Sequence, residues 1–346
     1  MANQETQLLD DIIVTSRRKM LTLGASSLAG LVLGASTPAA QAATVAYTDA
    51  EILNFALNLE YLEANFYYLA AFGTTIDKAN AASTAAKAPQ ITLSGTVGTA
   101  GTVSGGSLVP FTTITVASYA IETAVEEGKH VQLLLNALST SAVAQPAINL
   151  GTSFQTLATA AKIPGGGGFS PYANDQTFLV GAYVFEDVGV TAYHGAAHLL
   201  TTPANLVTAA GILAVEAYHA GLIRTTINYI DPTGTSIGGY TNLISALRAS
   251  LSQAGLLGVA PTASQYDNNP DDVGLATVSV ALPTGNVTAT QITDADPKSV
   301  VAFARNTTQV LNIVTGGGAV SGTTAVSPAT GVFFPAGMNA GPNGFK

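Results

Sequence analysis

The chain has 346 residues, enough for one large domain or two smaller ones. It is 47% hydrophobic and 10% charged with a net charge of −9, so it can build a core and offers no basic patch to track nucleic-acid phosphates. It has no cysteine, which excludes disulfides, thiolate metal sites, cysteine catalysis and lipid attachment through a leader cysteine.

The chain opens on a leader. "TSRRKMLTLGASSLAGLVLGASTPAAQAA" carries twin arginines, then a short apolar run, then the small–x–small tripeptide Ala40-Gln41-Ala42. Residues 1–42 are therefore read as a twin-arginine signal peptide with cleavage after Ala42, and the mature chain as periplasmic or extracellular. Such signals resemble those of substrates exported already folded. No later segment reaches the roughly 18 uninterrupted apolar residues of a span, so no membrane span is expected in the mature chain.

Four helical blocks follow. The first, "YTDAEILNFALNLEYLEANFYYLAAFG", has Thr48 and Glu51 at capping-box spacing and Gly73 as its stop. The second runs from Thr115 to Leu138, and the third from Asp175 to Leu200 with Asn174 or Asp175 as N-cap. The fourth has Thr202 as N-cap, Pro203 at its first position and Asp231-Pro232 at its end. Between the first two blocks lies "ITLSGTVGTAGTVSGGSLVPFTTITV", a Thr/Gly-rich insertion, β-prone or flexible, at about residues 85–112. The four glycines of "KIPGGGGFSPY" lack the ending of a phosphate loop and read as a connector. Beyond residue 250 the chain reads as an irregular α/β extension packed on the helices. "LATVSVAL" alternates like a strand, and "KSVVAFARNTTQVLNIV" is a short helix with Phe303, Val310 and Ile313 near one face.

The helical blocks hold the chemistry. Positions three apart on a helix lie about 60° apart, so Glu127 and His130 share a face, as do Glu216 and His219. Glu60 and Glu186 lie on apolar faces of the first and third helices, each with a tyrosine seven residues later, Tyr67 and Tyr193. The order is Glu, Glu-x-x-His, Glu, Glu-x-x-His. Ionised carboxylates buried without partners would cost several kcal/mol each, and four would be untenable. Two divalent cations would neutralise four carboxylates, and the two imidazoles would complete the ligand set. Carboxylate oxygen with imidazole suits iron or manganese. Glu63 is read as an acceptor for a ligating histidine or as a half-buried rim charge. Tyr67 and Tyr193 are hydrogen-bond donors to ligand carboxylates or core aromatics, and Glu122 and Glu126 solvated surface acids; His194 and His198, four apart, have a spacing that can bind a metal but are read as structural or as supports to the ligands.

At these residues the chain resembles the ferritin-like superfamily, which includes bacterioferritins, rubrerythrins and manganese catalases. "LNFALNLEYLEANFYYLAAFG", "FEDVGVTAYHGAA", "DADPKSVVAFARNTTQVLNIVTGG" and "TGVFFPAGMNAG" resemble more closely its desiccation-related members, over roughly residues 47 to 340. The resemblance implies a mainly α fold: a ferritin-like four-helix bundle over residues 43–250 with an insertion after helix 1 and a C-terminal extension over 251–346. It implies Glu60, Glu127, His130, Glu186, Glu216 and His219 as ligands to two divalent iron or manganese ions. The implied activity is catalase-like or ferroxidase-like, with a small-molecule oxidant as reaction partner and a link to oxidative stress or drying. The other reading is a structural or surface-assembly protein, a homo-oligomer in which the bundle is a scaffold.

Overall fold

The computed structural model describes residues 47–79, 88–254, 271–296, 299–316 and 332–340. The leader lies outside them. Four long helices form the centre: α1 (Asp49–Phe72), α2 (Ile114–Leu138), α4 (Asp175–Ala197) and α5 (Pro203–Ile230), with α3 (Thr152–Ala160) between the second and third. α1 packs along α2, and α4 along α5. Tyr67 of α1 meets Glu186 of α4 while Glu60 meets Tyr193, so these helices run antiparallel. Glu127 faces His219 and His130 faces Glu216, which makes α2 and α5 antiparallel too. The connection between α2 and α4 is therefore a long crossover, as in ferritin-like bundles.

Local sequence sets the helix ends. Thr48 and Glu51 form the expected capping box on α1, Gly73 closes it at φ 67°, and Asn174 caps α4. Thr202 occupies the N-cap of α5, but its side chain makes no capping bond. Asp49 does that work from α1, accepting from the Thr201 and Thr202 backbone N–H groups and from Asn205. Asp175 at the start of α4 likewise accepts from the N–H groups of Thr112 and Thr113 ahead of α2. The same two-fold echo that orders the acidic residues thus orders the helix starts. α4 stops at Ala197, short of the expected Leu200, because the chain turns there to present Thr201 and Thr202 to Asp49.

The described part of the insertion is extended rather than loose. Its strand β1 (Val103–Ser104) pairs in parallel with β2 (Ile148–Asn149) of the crossover, and Val97 and Gly101 donate to Ala142 and Gln145. Asn54, Tyr61 and Asn65 of α1 bind the same crossover strip at Ser141, Val143 and Gln145.

The chain continues through α6 (Ile237–Ala254), a hairpin of β3 (Thr277–Leu282) and β4 (Gly285–Thr290), and α7 (Thr307–Val314). The strand expected in "LATVSVAL" is β3. The short helix is confined to α7, whose capping box is Asn306 with Gln309, so Phe303 lies ahead of it, yet buried. Arg305 is held out of the helix: its N–H donates to the Thr191 carbonyl, and its backbone passes so close to Gly195 that a Cβ there would lie 1.9 Å from the Arg305 oxygen.

A buried charge cluster fastens these later segments to α4 and α5. Asp187 accepts from Arg224 at 3.0 Å and Arg248 at 2.8 Å, while Asp272 pairs with Arg248 and Arg305 at 2.8 and 2.9 Å. Arg248 also sits 4.7 Å from the centre of the Tyr183 ring. Removing one member leaves buried charges unpaired. Arg248→Ala is therefore expected to destabilise the fold by about 3–5 kcal/mol, measured by urea denaturation, with Arg248→Lys recovering part of the loss.

Candidate metal centre

Six side chains converge at the middle of the bundle. Glu60, Glu127 and Glu216 are fully buried, Glu186 is 1% exposed, and His130 and His219 are 7% and 4% exposed. They fall into two groups. His130 Nδ1 lies 3.3 Å from Glu60 Oε2, 3.4 Å from Glu127 Oε2 and 3.5 Å from Glu216 Oε1. His219 Nδ1 lies 3.0 Å from Glu127 Oε1 and 3.4 Å from Glu186 Oε2. In each group one donor atom per residue lies within 4.8 Å of the others, the spacing of a metal's ligand shell. Glu127 belongs to both groups and offers a different oxygen to each. The imidazole centres are 6.3 Å apart.

The atoms that converge are those without hydrogen-bond partners. Glu60 Oε2, both oxygens of Glu127 and Glu216, Glu186 Oε2 and Nδ1 of both histidines are buried and unsatisfied. Such atoms normally have partners, and carboxylate oxygens with imidazole nitrogens are the donor set of hard to intermediate divalent cations. The residues therefore fit a two-cation site. The remaining oxygens are taken: Glu186 Oε1 accepts from Tyr67 and Glu60 Oε1 from Tyr193. Each tyrosine reaches the glutamate of the opposite helix, as the two-fold echo requires.

Without cations the charges hold one another by protonation. Burial raises the Glu60 carboxyl to about 7 despite the pull of His130. Burial likewise raises Glu186 and Glu216, against the pull of His219 in the first and reinforced by Glu127 in the second. Burial by itself would lower both histidines, but the carboxylates around them win and raise them. Glu127 goes down: burial opposes ionisation there too, and two imidazoles overcome it.

Glu63, three residues after Glu60, is 6% exposed, and burial followed by the charge of Glu216 pushes its carboxyl well up. Among the described residues it pairs with neither ring nitrogen of His130 or His219 within 4.0 Å. Glu126 pairs with one of them. It was read as a solvated acid, and its side chain is 37% exposed, yet its Oε2 lies 2.8 Å from His219 Nε2. An ionised carboxylate only accepts, so Nε2 carries the proton and Nδ1 is left to face Glu127 and Glu186. Sequence spacing missed this because the partner is on another helix. The matching position on α5, four residues before His219, is Val215, so His130 receives no such support from that helix. Glu122 is exposed, as read. His194 donates from Nδ1 to the Phe303 carbonyl, 3.1 Å away, a structural contact. Gly189, not singled out from the sequence, is required here: a Cβ would lie 2.3 Å from Glu216 Oε2. Its only signal in the sequence is its place three residues after Glu186.

The comparisons agree with this geometry. A family model described as a ferritin-like domain matches residues 48–229. The chain belongs to the ferritin-like family. Its relatives include the desiccation-related protein PCC13-62 of Craterostigma plantagineum, 33% identical over 222 residues, and the ferritin-like catalase Nec2 of Nesocodon mauritianus, 25% identical over 218 residues. Each alignment covers 60% of this chain and 64% of the relative, so the chain spans under two thirds of their length. No solved structure is a significant match.

Two outcomes are expected. Cations must displace protons from these ligands, so affinity falls as pH is lowered from neutrality, and adding metal to weakly buffered metal-free protein releases protons, detectable with an indicator dye. Glu126→Gln is expected to weaken divalent-cation binding beside His219 by roughly 10–100-fold in chelator competition, while Glu122→Gln is expected to change nothing.

Proposed function

We propose that this chain is an exported ferritin-like protein that holds two divalent ions, iron or manganese, and uses them on peroxide or dioxygen. The observation that carries this reading is the convergence of buried, unsatisfied carboxylate oxygens and imidazole nitrogens from four helices. Glu60, His130 and Glu216 would hold one ion, Glu186 and His219 the other, with Glu127 between them. When bound, such a pair supplies redox equivalents and Lewis acidity at a water-excluded position.

The protein's own part is to bind, orient and exclude. Tyr67 and Tyr193 fix Glu186 and Glu60 by donating to one oxygen each, leaving the other oxygen to the centre. Glu126 fixes the tautomer of His219. The bundle keeps water out: the four carboxylates are at most 1% exposed and the two imidazoles at most 7%. A scaffold with no metal role has no need to bury four carboxylates together. A relative bearing the name of a catalase supports peroxide as the oxidant: two molecules of peroxide would give two of water and one of dioxygen. Export by the twin-arginine route, to the periplasm or beyond, fits a site that must be loaded before it crosses a membrane.

Elemental analysis of the purified protein tests this, with dioxygen evolution from peroxide followed at an electrode. Two iron or manganese ions per chain and peroxide-dependent evolution are expected. Glu127→Ala and His130→Ala are each expected to lose metal and most of the activity. Fewer than two ions per chain, or full activity in both variants, sinks the reading.

A further inference from the structure

Behind the candidate centre lies an apolar cavity of about 40 Å³. Its walls come from α1, α4 and the elements outside the central bundle: α3, α6, α7 and the segment carrying Phe333. Leu62, Val184, Ala158, Leu247, Ile313 and Phe333 represent these walls. Only two of the side chains facing it, Glu63 and Arg248, are charged. Arg248 is spent on Asp187, Asp272 and the Tyr183 carbonyl. Glu63 lies in the cavity wall, more than nine-tenths buried. It also borders the centre, since the same point beside Gly189 lies 2.3 Å from Glu216 Oε2 and 3.6 Å from Glu63 Oε1.

Size and polarity choose the occupant. A cavity of roughly 10–15 Å³ is large enough for one water, but a buried water needs about two to four polar partners, and apart from Glu63 and Arg248 the side chains lining this one are apolar. An apolar cavity of about 150 Å³ holds benzene. This one is near a quarter of that, too small for an aromatic ring or an acyl chain. What fits is a diatomic or monatomic apolar molecule.

We propose that this cavity is a dioxygen site that serves the candidate metal centre past Glu63. It rests on the di-metal reading above and adds to it a place and a residue. It also gives the crossover helix and the C-terminal elements a purpose: they roof the space that the four central helices leave open.

Two measurements test it. The first is a crystal of the metal-loaded protein pressurised with xenon, an apolar probe of similar size. A xenon atom is expected between Leu62, Val184 and Phe333. Ordered water in that place, or no xenon in protein that holds its two ions, overturns the cavity while leaving the di-metal reading standing. Protein that binds xenon but holds no metal overturns both, for the site would then have no centre to serve. The second is stopped-flow oxidation of the ferrous-loaded protein by dioxygen. Ala158→Phe fills the cavity from α3, a helix that carries none of the six candidate ligands. It is expected to keep the metal content, lose the xenon and slow oxidation several-fold at low dioxygen, with the difference vanishing at high dioxygen. Leu247→Phe is the second filling variant, should the first fail to fold. Unchanged rates at low dioxygen in a folded, filled variant refute the proposal.

Discussion

Four carboxylates in the dry centre of a helical bundle are the constraint on which the rest depends. Each would cost several kcal/mol if left ionised and unpaired. Glu60, Glu127, Glu186 and Glu216 come from four different helices and are at most 1% exposed. Any account of the fold must say what balances them. Protons and imidazolium can do so in part, which is why three of the four carboxyls are pushed up and both histidines are held protonated. Cations do it more completely, because they also satisfy the oxygens and nitrogens that no hydrogen bond reaches. The bundle leaves those atoms facing one another, with Glu127 offering one oxygen to each group.

A second set of buried charges works in the opposite way. Asp187 follows Glu186 in the chain but points away from the centre, into a cluster with Arg224, Arg248 and Arg305. There the balancing charge comes from the protein's own guanidinium groups, in hydrogen-bonded geometry. One helix, α4, thus carries adjacent carboxylates with different fates. On the ligand side Glu186 Oε2 is left without a hydrogen-bond partner, while on the clasp side Asp187 Oδ2 is shared by two guanidinium groups. The clasp holds the later segments against the bundle, and those segments wall the cavity behind Glu63.

Much of the fold was legible along the chain. The helix starts at Thr48 and Asn174, the stop at Gly73 and the strand near residue 277 follow from local backbone chemistry. The six converging residues were legible too, because two Glu-x-x-His pairs and two isolated glutamates on apolar faces repeat in a fixed order. The tyrosines seven residues on from Glu60 and Glu186 were paired by the same spacing, but which glutamate each would meet was not. Each crosses to the other helix. Glu126 was misread for a related reason: its own helix face points to solvent, and only α5 brings His219 within 2.8 Å of it.

Along the chain itself, period, capping and the order of acidic residues determine four helices and the face on which each carries its ligands. These are local properties, set by a helix turn or by a side chain reaching its own backbone. Which helix lies against which, and in what direction, is a matter of packing over long sequence distances. That packing decided that Asp49 caps α5 rather than its own helix, that Gly189 must yield space to Glu216, and that Arg305 stays out of α7. It also enclosed an apolar cavity beside the charged centre, which no single segment encodes because its walls are drawn from five helices and a distant aromatic residue.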